Sequence, residues 1–233
     1  MEKTHGMGGK TGSELAHPAY GATGKPDPAD AEGGIRALGA RHRARVLGHL
    51  LQLDAHDRYL RFGYSASDEH IQRYVDGLDF NRDTVFGIHN KRLELVAVAH
   101  LAHAVDKDCM SCAEFGVSVL KSERGRGYGA KLFDRAMMHA RNVGVEQFFI
   151  HALSENMAML SIARKAGATV LQDGPESRAY LRLPPASFDS MVTELIEEKL
   201  AQIDYGLRKQ ARKFWSLLLR RQTRRQRPEK NNR

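Results

Sequence analysis

The segment that most constrains this chain is Arg124-Gly125-Arg126-Gly127-Tyr128-Gly129-Ala130, which sits between a strand-like run and a helix-like run. Ahead of it, Ala113 to Leu120 sets Phe115, Val117 and Val119 on one face and Glu114, Gly116 and Ser118 on the other, the period of a strand. A carboxylate therefore projects from the less apolar face. Behind it, Leu132, Phe133, Ala136, Met137, Ala140 and Val143 recur at three- and four-residue steps, with Gly144 placed to end a helix. Glycines let a backbone turn sharply and come close to a ligand, while the free N–H groups and dipole of a new helix attract an anion such as a pyrophosphate. Arg124 and Arg126 add charge-assisted donors.

The flanking sequence extends the same alternation. A short strand is expected from Ile35, then Val46, Leu47, Leu50, Leu51 and Leu53 at helical spacing, then an aromatic stretch through Tyr59 and Phe62. Ser67 is a suitable N-cap for a helix carrying Ile71, Tyr74, Val75 and Leu78 on one face, with Asp68 and Glu69 at the positive end of its dipole. Thr84 to Ile88 and Leu93 to Ala102 read as a hairpin turning at Asn90-Lys91, where Asn tolerates unusual backbone angles. Gln147 to His151 is a short strand, Asn156 to Ala166 a helix closed by Gly167, and Thr169 to Leu171 and Arg178 to Leu183 are final strands before Pro184-Pro185. Strand and helix thus alternate around one sheet, an α/β (α+β) core over residues 33–185.

Residues 1–32 mix Gly, Pro, Ser, Thr and charge without apolar period, and are expected to be a disordered tail. Gly8-Gly9-Lys10-Thr11 is not a phosphate-binding P-loop, because Thr4 stands where the first Gly belongs and no strand precedes it. The absence of a secretory-type apolar stretch or a spanning run leads to the expectation of a soluble, cytoplasmic protein, and two cysteines cannot form a disulfide framework. The net charge of +8 is confined to the end of the chain: residues through Tyr205 carry 25 Lys/Arg against 27 Asp/Glu, and residues 206–233 carry 11 against 1. The core is therefore near neutral and the basic pI belongs to a C-terminal extension, residues 186–233.

The Gly-rich loop resembles the pyrophosphate loop of the GNAT superfamily of acyl-CoA N-acyltransferases, whose R/Q-x-x-G-x-G/A pattern is met by Arg124, Gly127 and Gly129. Asn156, followed by a short helix through Met159, Ile162, Arg164 and Lys165 to Gly167, resembles the segment further along in that family where the Asn contacts the pantetheine arm. Ala113-Glu114-Phe115, Ser154 to Met159 and Arg58 to Phe62 are similar to the GNAT domain of bacterial protein lysine acetyltransferases, over about Ile35 to Leu183. The resemblance implies a GNAT fold: a central mixed, mostly antiparallel sheet with helices on both faces, whose two strands flanking the pyrophosphate helix run parallel and splay. It implies acetyl-CoA as co-substrate, held by Val117, Ser118, Val119, Arg124, Gly125, Arg126, Gly127, Tyr128, Gly129, Ala130 and Asn156. It implies an amine acceptor, with a protein lysine ahead of a small-molecule amine, and Glu114 as general base.

That chemistry is coherent, since an amine must lose a proton to attack a thioester and a carboxylate can take it directly or through water. An oxyanion would be met by backbone N–H near Val117 to Val119. The family's usual Tyr acid has Ala163 at its aligned position, and Ser161, Tyr128 or solvent could substitute. A non-catalytic acyl-CoA-binding module is the competing class. His151, ending a strand near the acyl site, is the reserve base. His100, His103, Cys109 and Cys112 suggest zinc only weakly, because the two histidines would face opposite sides of a strand, and no metal is expected. In the extension, Met191, Leu195, Ile196, Leu200 and Ile203 begin an apolar helical stripe that Leu207, Ala211, Phe214, Trp215 and Leu218 continue among arginines. It suits an anionic surface, an acidic partner, or packing on the core or a second subunit.

Overall fold

The structure, a computed structural model, describes residues 34–103 and 111–225. The N-terminal tail and Cys109 lie outside the described residues. In chain order the elements are β1 (Ile35–Leu38), α1 (Arg43–Leu51), α2 (Ala55–Phe62), α3 (Asp68–Asp76), β2 (Thr84–His89), β3 (Leu95–His103) and β4 (Cys112–Val119). There follow α4 (Tyr128–Asn142), β5 (Gln147–Leu153), α5 (Met157–Lys165), β6 (Thr169–Asp173), β7 (Glu176–Arg182) and α6 (Phe188–Arg225). They form a seven-stranded sheet of order β1-β2-β3-β4-β5-β7-β6, antiparallel except where β4 and β5 run parallel. Only a crossover can join parallel neighbours, and α4 supplies it.

Period-two alternation decides which core each strand feeds. Leu38, Val85, Leu95 and Val98 pack with Val46, Leu50, Ile71 and Val75 of α1 and α3 on one face. Phe86, Ile88, Ala99, Leu101 and Phe115 pack with Leu132, Phe133 and Ala136 of α4 on the other. The rings of Phe115, Phe133 and Phe148 meet at centroid distances of 5.2 to 5.7 Å, tying α4 to both parallel strands. Truncating one such ring to Ala costs about 3–5 kcal/mol, so the base of α4 is firmly held.

Local signals act as expected in most places. Ser67 caps α3, accepting from the His70 N–H, and Asn156 caps α5, accepting from Met159. The hairpin differs from expectation in one detail. The Asn90 side chain accepts from the N–H groups of Arg92 and Glu94, and it is Leu93 that takes the positive φ, at 61°. The side-chain clamp sets the left-handed residue two positions beyond the Asn-Lys pair.

The extension differs more. The half of α6 nearest the sheet docks by its polar side: Glu194 Oε1 lies 2.8 Å from Arg135 and 2.7 Å from His139, and Tyr205 lies beneath the Arg36 guanidinium at 3.7 Å. The apolar stripe, for which the sequence allows the core as one cover among several, faces away from it, with Leu195 58% and Leu200 61% exposed. No helix among the described residues is long and apolar enough to cross a membrane.

Candidate active site

The site is created where β4 and β5 part. Their pairing ends at Glu114↔Phe149, while β4 stays paired with β3 as far as Val119. From Phe115 onward one edge of β4 therefore has no strand neighbour, and backbone groups there are free for a ligand. α4 begins beside this gap. Its N-cap is Gly127 in a left-handed conformation, φ 73°, with no side-chain cap and no acid in the first turn. The first intrahelical bond runs from Lys131 to Gly127, so the N–H groups of Tyr128, Gly129 and Ala130 precede it and remain available to an anion.

A cavity of about 490 Å³ is lined by Val117, Ser118, Val119, Arg124, Gly125, Gly127, Tyr128, Gly129, Ala130 and Asn156, together with Asp57 and Leu60 of α2. The residues expected to hold the cofactor thus share one cavity, except Arg126, which does not line it. Both loop arginines are already partnered: Arg124 reaches Asp57 at 2.5 Å, and Arg126 lies 3.4 Å from Glu123. Tyr128 is 5% exposed and belongs to the core, so its position suits packing rather than proton donation. Ala163 is likewise fully buried, and Ser161 is the hydroxyl of that helix that lines the cavity. Ser118 gives its hydroxyl to a buried partner, His49 Nε2 at 2.9 Å. Since Leu95 O can only accept, His49 Nδ1 donates to it at 3.0 Å and Nε2 accepts from Ser118. Burial holds this imidazole at a pKa of about 4, hence neutral.

A second cavity, about 310 Å³, opens where the strands diverge and is lined by Glu114, His151, Phe62, Glu176 and Arg178. Leu60, Arg61, Val117, Asn156 and Met159 line both cavities, so one continuous cleft narrows at these five residues. Glu114 Oε1 and His151 Nδ1 are 3.1 Å apart, each side chain a little over half exposed. The expected base and its reserve are therefore neighbours. His151 lies two residues before the end of β5, which is longer than the sequence suggests.

Sequence reasoning did not find the arginine at the narrowing. Arg61, from α2, lies flat on Gly116 of β4, where a Cβ would fall 2.8 Å from its Cζ, so any side chain there would push the guanidinium away. Its Nη2 donates to the Tyr74 hydroxyl at 2.7 Å, which leaves that hydroxyl's own proton for His100 Nδ1, also at 2.7 Å. His100 Nε2 then lies 3.3 Å from Asp83, whose carboxylate also receives Arg82. Burial first, and Arg61 next, push the His100 imidazole below its ordinary pKa. For Asp83, burial would raise the carboxyl, but Arg82, His100 and the His103 N–H carry it below the usual range. The result is a line of polar groups running from the cleft along one face of the sheet to a buried carboxylate. It also accounts for His100, one of the weak zinc candidates. Cys112, buried at the start of β4, is disulfide-bonded.

A splayed parallel pair, an uncapped glycine-led helix and a two-part cleft are the features by which a chain of this kind can be compared with known proteins. Residues 34–169 match the family model described as an acetyltransferase (GNAT) domain. Among solved structures, the GNAT domain of Streptomyces lividans PAT superposes with a TM-score of 0.55 at 20% identity, covering 67% of this chain and 99% of that one. Salmonella typhimurium yncA with acetyl-CoA gives 0.52 at 16% identity, covering 66% and 96%. Vibrio cholerae spermidine N-acetyltransferase in complex with CoA and spermine gives 0.50 at 15% identity, covering 65% and 96%. No curated protein matches the chain. Over the greater part of its length, then, this chain belongs to the GNAT family and is an N-acetyltransferase that draws its acetyl group from acetyl-CoA.

Proposed function

We propose that the cleft transfers acetyl to the side-chain amine of a protein lysine, with Glu114 as general base. The observation that carries this reading is the Glu114–His151 pair at the open mouth of the smaller cavity. Acetyl-CoA would lie with its pyrophosphate on the N–H groups of Tyr128, Gly129 and Ala130 and its pantetheine arm along the free edge of β4, beside Asn156. The thioester would then reach the narrowing at Arg61. The acceptor nitrogen, entering from the side of Glu114, attacks the carbonyl carbon as its proton passes to the carboxylate, directly or through one water. A C–N bond forms, the C–S bond breaks, and the thiolate leaves without a dedicated protein acid. Backbone N–H groups near Val117 to Val119 suit the developing oxyanion.

Arg61 has a part in this scheme. A guanidinium beside the arriving amine disfavours the ammonium form, so the acceptor is more readily stripped of its proton. His151 would hold Glu114 in place. A half-exposed base at an open mouth favours a long aliphatic amine presented from a protein surface over a small molecule that must be enclosed, and the likeness in sequence to the protein lysine acetyltransferase branch supports the same choice.

Turnover of acetyl-CoA, followed as thiol release with lysine peptides, cell-extract proteins and a panel of small amines, tests the proposal. Acetylated lysine in a peptide or protein is the expected product. Turnover confined to small amines would overturn the acceptor, and tight acetyl-CoA binding with no thiol release from any acceptor would favour a non-catalytic binding module.

A further inference from the structure

The largest unexplained surface lies on α6. Phe188, Leu195, Ile196, Leu200 and Ile203 are between 52% and 80% exposed, while Glu194 and Tyr205, on the opposite side of the helix, make the contacts to the domain. A surface helix ordinarily buries its apolar side, and a contiguous exposed stripe marks a surface that something covers. The N-terminal 33 residues are poor cover, since their large apolar side chains are only Met1, Met7, Leu15 and Tyr20. An anionic lipid surface is also ill matched to this half of the helix. Phe188–Tyr205 carries Asp189, Glu194, Glu197, Glu198 and Asp204 against Lys199 alone.

The remainder of α6 is the complement of that half. Residues 206–225 hold eight Lys/Arg and no acid. The apolar positions Val192, Ile196, Leu200 and Ile203 are followed by Leu207, Ala211, Phe214 and Leu218, repeating steps of four, four and three. That repeat averages about 3.67 residues per turn, close enough to the helical 3.6 to keep one stripe along a straight helix. The acidic and basic halves are 18 and 20 residues long, each spanning about 30 Å.

We propose that α6 pairs antiparallel with the α6 of a second copy of this chain, the basic half of each helix lying on the exposed stripe of the other's acidic half. Centred on Tyr205, this register sets Val192 level with Leu218 and Ile196 level with Phe214. It also sets Asp189, exposed and two turns from Ile196 on the stripe, level with Arg221. A parallel pair would bring acid against acid and base against base, which costs stability and selects against that orientation. The acidic partner that the basic end of the sequence suits is thus the chain's own helix. The proposal does not depend on what the cleft acetylates.

Analytical ultracentrifugation of the full chain at micromolar concentration tests it. The wild type is expected to be a dimer that weakens with salt. Leu195→Asp combined with Ile196→Asp is expected to give a monomer with unchanged circular dichroism, since both side chains are exposed. Asp189→Arg and Arg221→Glu are each expected to weaken association at least tenfold, and the two together in one chain to restore it. That rescue is specific to the antiparallel register. A wild-type monomer, a dimer indifferent to the stripe substitutions, or failure of the paired reversal to rescue would overturn the proposal. So would a monomer that sediments with anionic vesicles and loses them on the stripe substitutions, which would make the stripe a lipid-binding face.

Discussion

Glu194 is the residue on which the docking of α6 most depends, and its removal has a calculable effect. Burial would raise its carboxyl, but hydrogen bonds from His139 and Asn142 and the charges of His139 and Arg135 carry its pKa from 4.5 to about 2. That gap corresponds to about 3 kcal/mol of folding free energy at neutral pH. Arg135 adds to the loss, because at 4% exposure its remaining acid is Glu197 at 3.9 Å, and a buried guanidinium without a close partner is costly. Glu194→Gln keeps the shape and removes the charge. For a domain of this size, about 3 kcal/mol lowers the melting temperature by roughly 6–12 °C. The sign of the pH dependence follows from the depressed folded-state pKa: the stabilisation is complete above the unfolded value of 4.5 and disappears as pH falls through about 2. Thermal and urea unfolding of both proteins should therefore show a large gap at pH 7 that narrows below pH 4.5. A variant within about 1 °C of wild type, or a gap undiminished in acid, would refute the reasoning.

Three further outcomes are expected. Gly129→Val should abolish acetyl-CoA binding by calorimetry while leaving unfolding little changed, because a Cβ there meets Ile162 at an ordinary 3.4 Å and the obstruction falls on the ligand; Gly127→Val should lose binding and stability together, its φ of 73° being hostile to any side chain. Glu114→Gln should lower kcat by roughly 10²-fold with cofactor affinity kept, and Arg61→Met should move the acidic limb of the kcat/KM profile to higher pH. His49, neutral with a folded-state pKa of about 4 against 6.5, makes the protein lose about 3 kcal/mol as pH falls from 6.5 toward 4, since the unfolded chain takes up the proton first; His49→Gln should flatten that slope in urea titrations.

What was legible in the sequence was what local chemistry decides. A glycine that must turn left-handed, a helix whose first N–H groups lack partners and an Asn that caps are each written within a few residues, so the loop at Gly127 and the cap at Asn156 could be read directly. The two-residue period of β4 likewise fixed the face of Glu114. That His151 would meet it could have been inferred only from the parallel register of β4 and β5, which pairs Glu114 with Phe149 and so brings the residue two further along to the same face. Arg61 gave less signal, because its place depends on Gly116, Tyr74, His100 and Asp83, drawn from separate segments whose mutual arrangement no periodicity encodes. Gly116 carried the one hint, a glycine interrupting a strand where another backbone or side chain must approach closely.

The extension shows the opposite limit. A period near 3.6 announces that a helix has an apolar side, yet not what that side meets. In α6 three side chains of α4, Arg135, His139 and Asn142, take hold of Glu194 and turn the helix so that its polar side docks. Burying those ionic contacts costs desolvation, and leaving Leu195 and Leu200 in water forgoes burial worth about 1.5–3 kcal/mol each. A lone chain leaves that apolar burial unrealised. A pair of chains recovers it, since the stripe left outside becomes the interface, and the ionic contacts to α4 then serve to fix the rotation of α6 about its axis. On this argument Glu194→Gln should loosen association as well as folding, whereas Ile203→Asp, which touches no ionic contact, should break the dimer and leave the melting temperature of the separated chains unchanged. Sedimentation and melting measured side by side on the two variants distinguish an ionic clamp that orients the stripe from one that only anchors a tail.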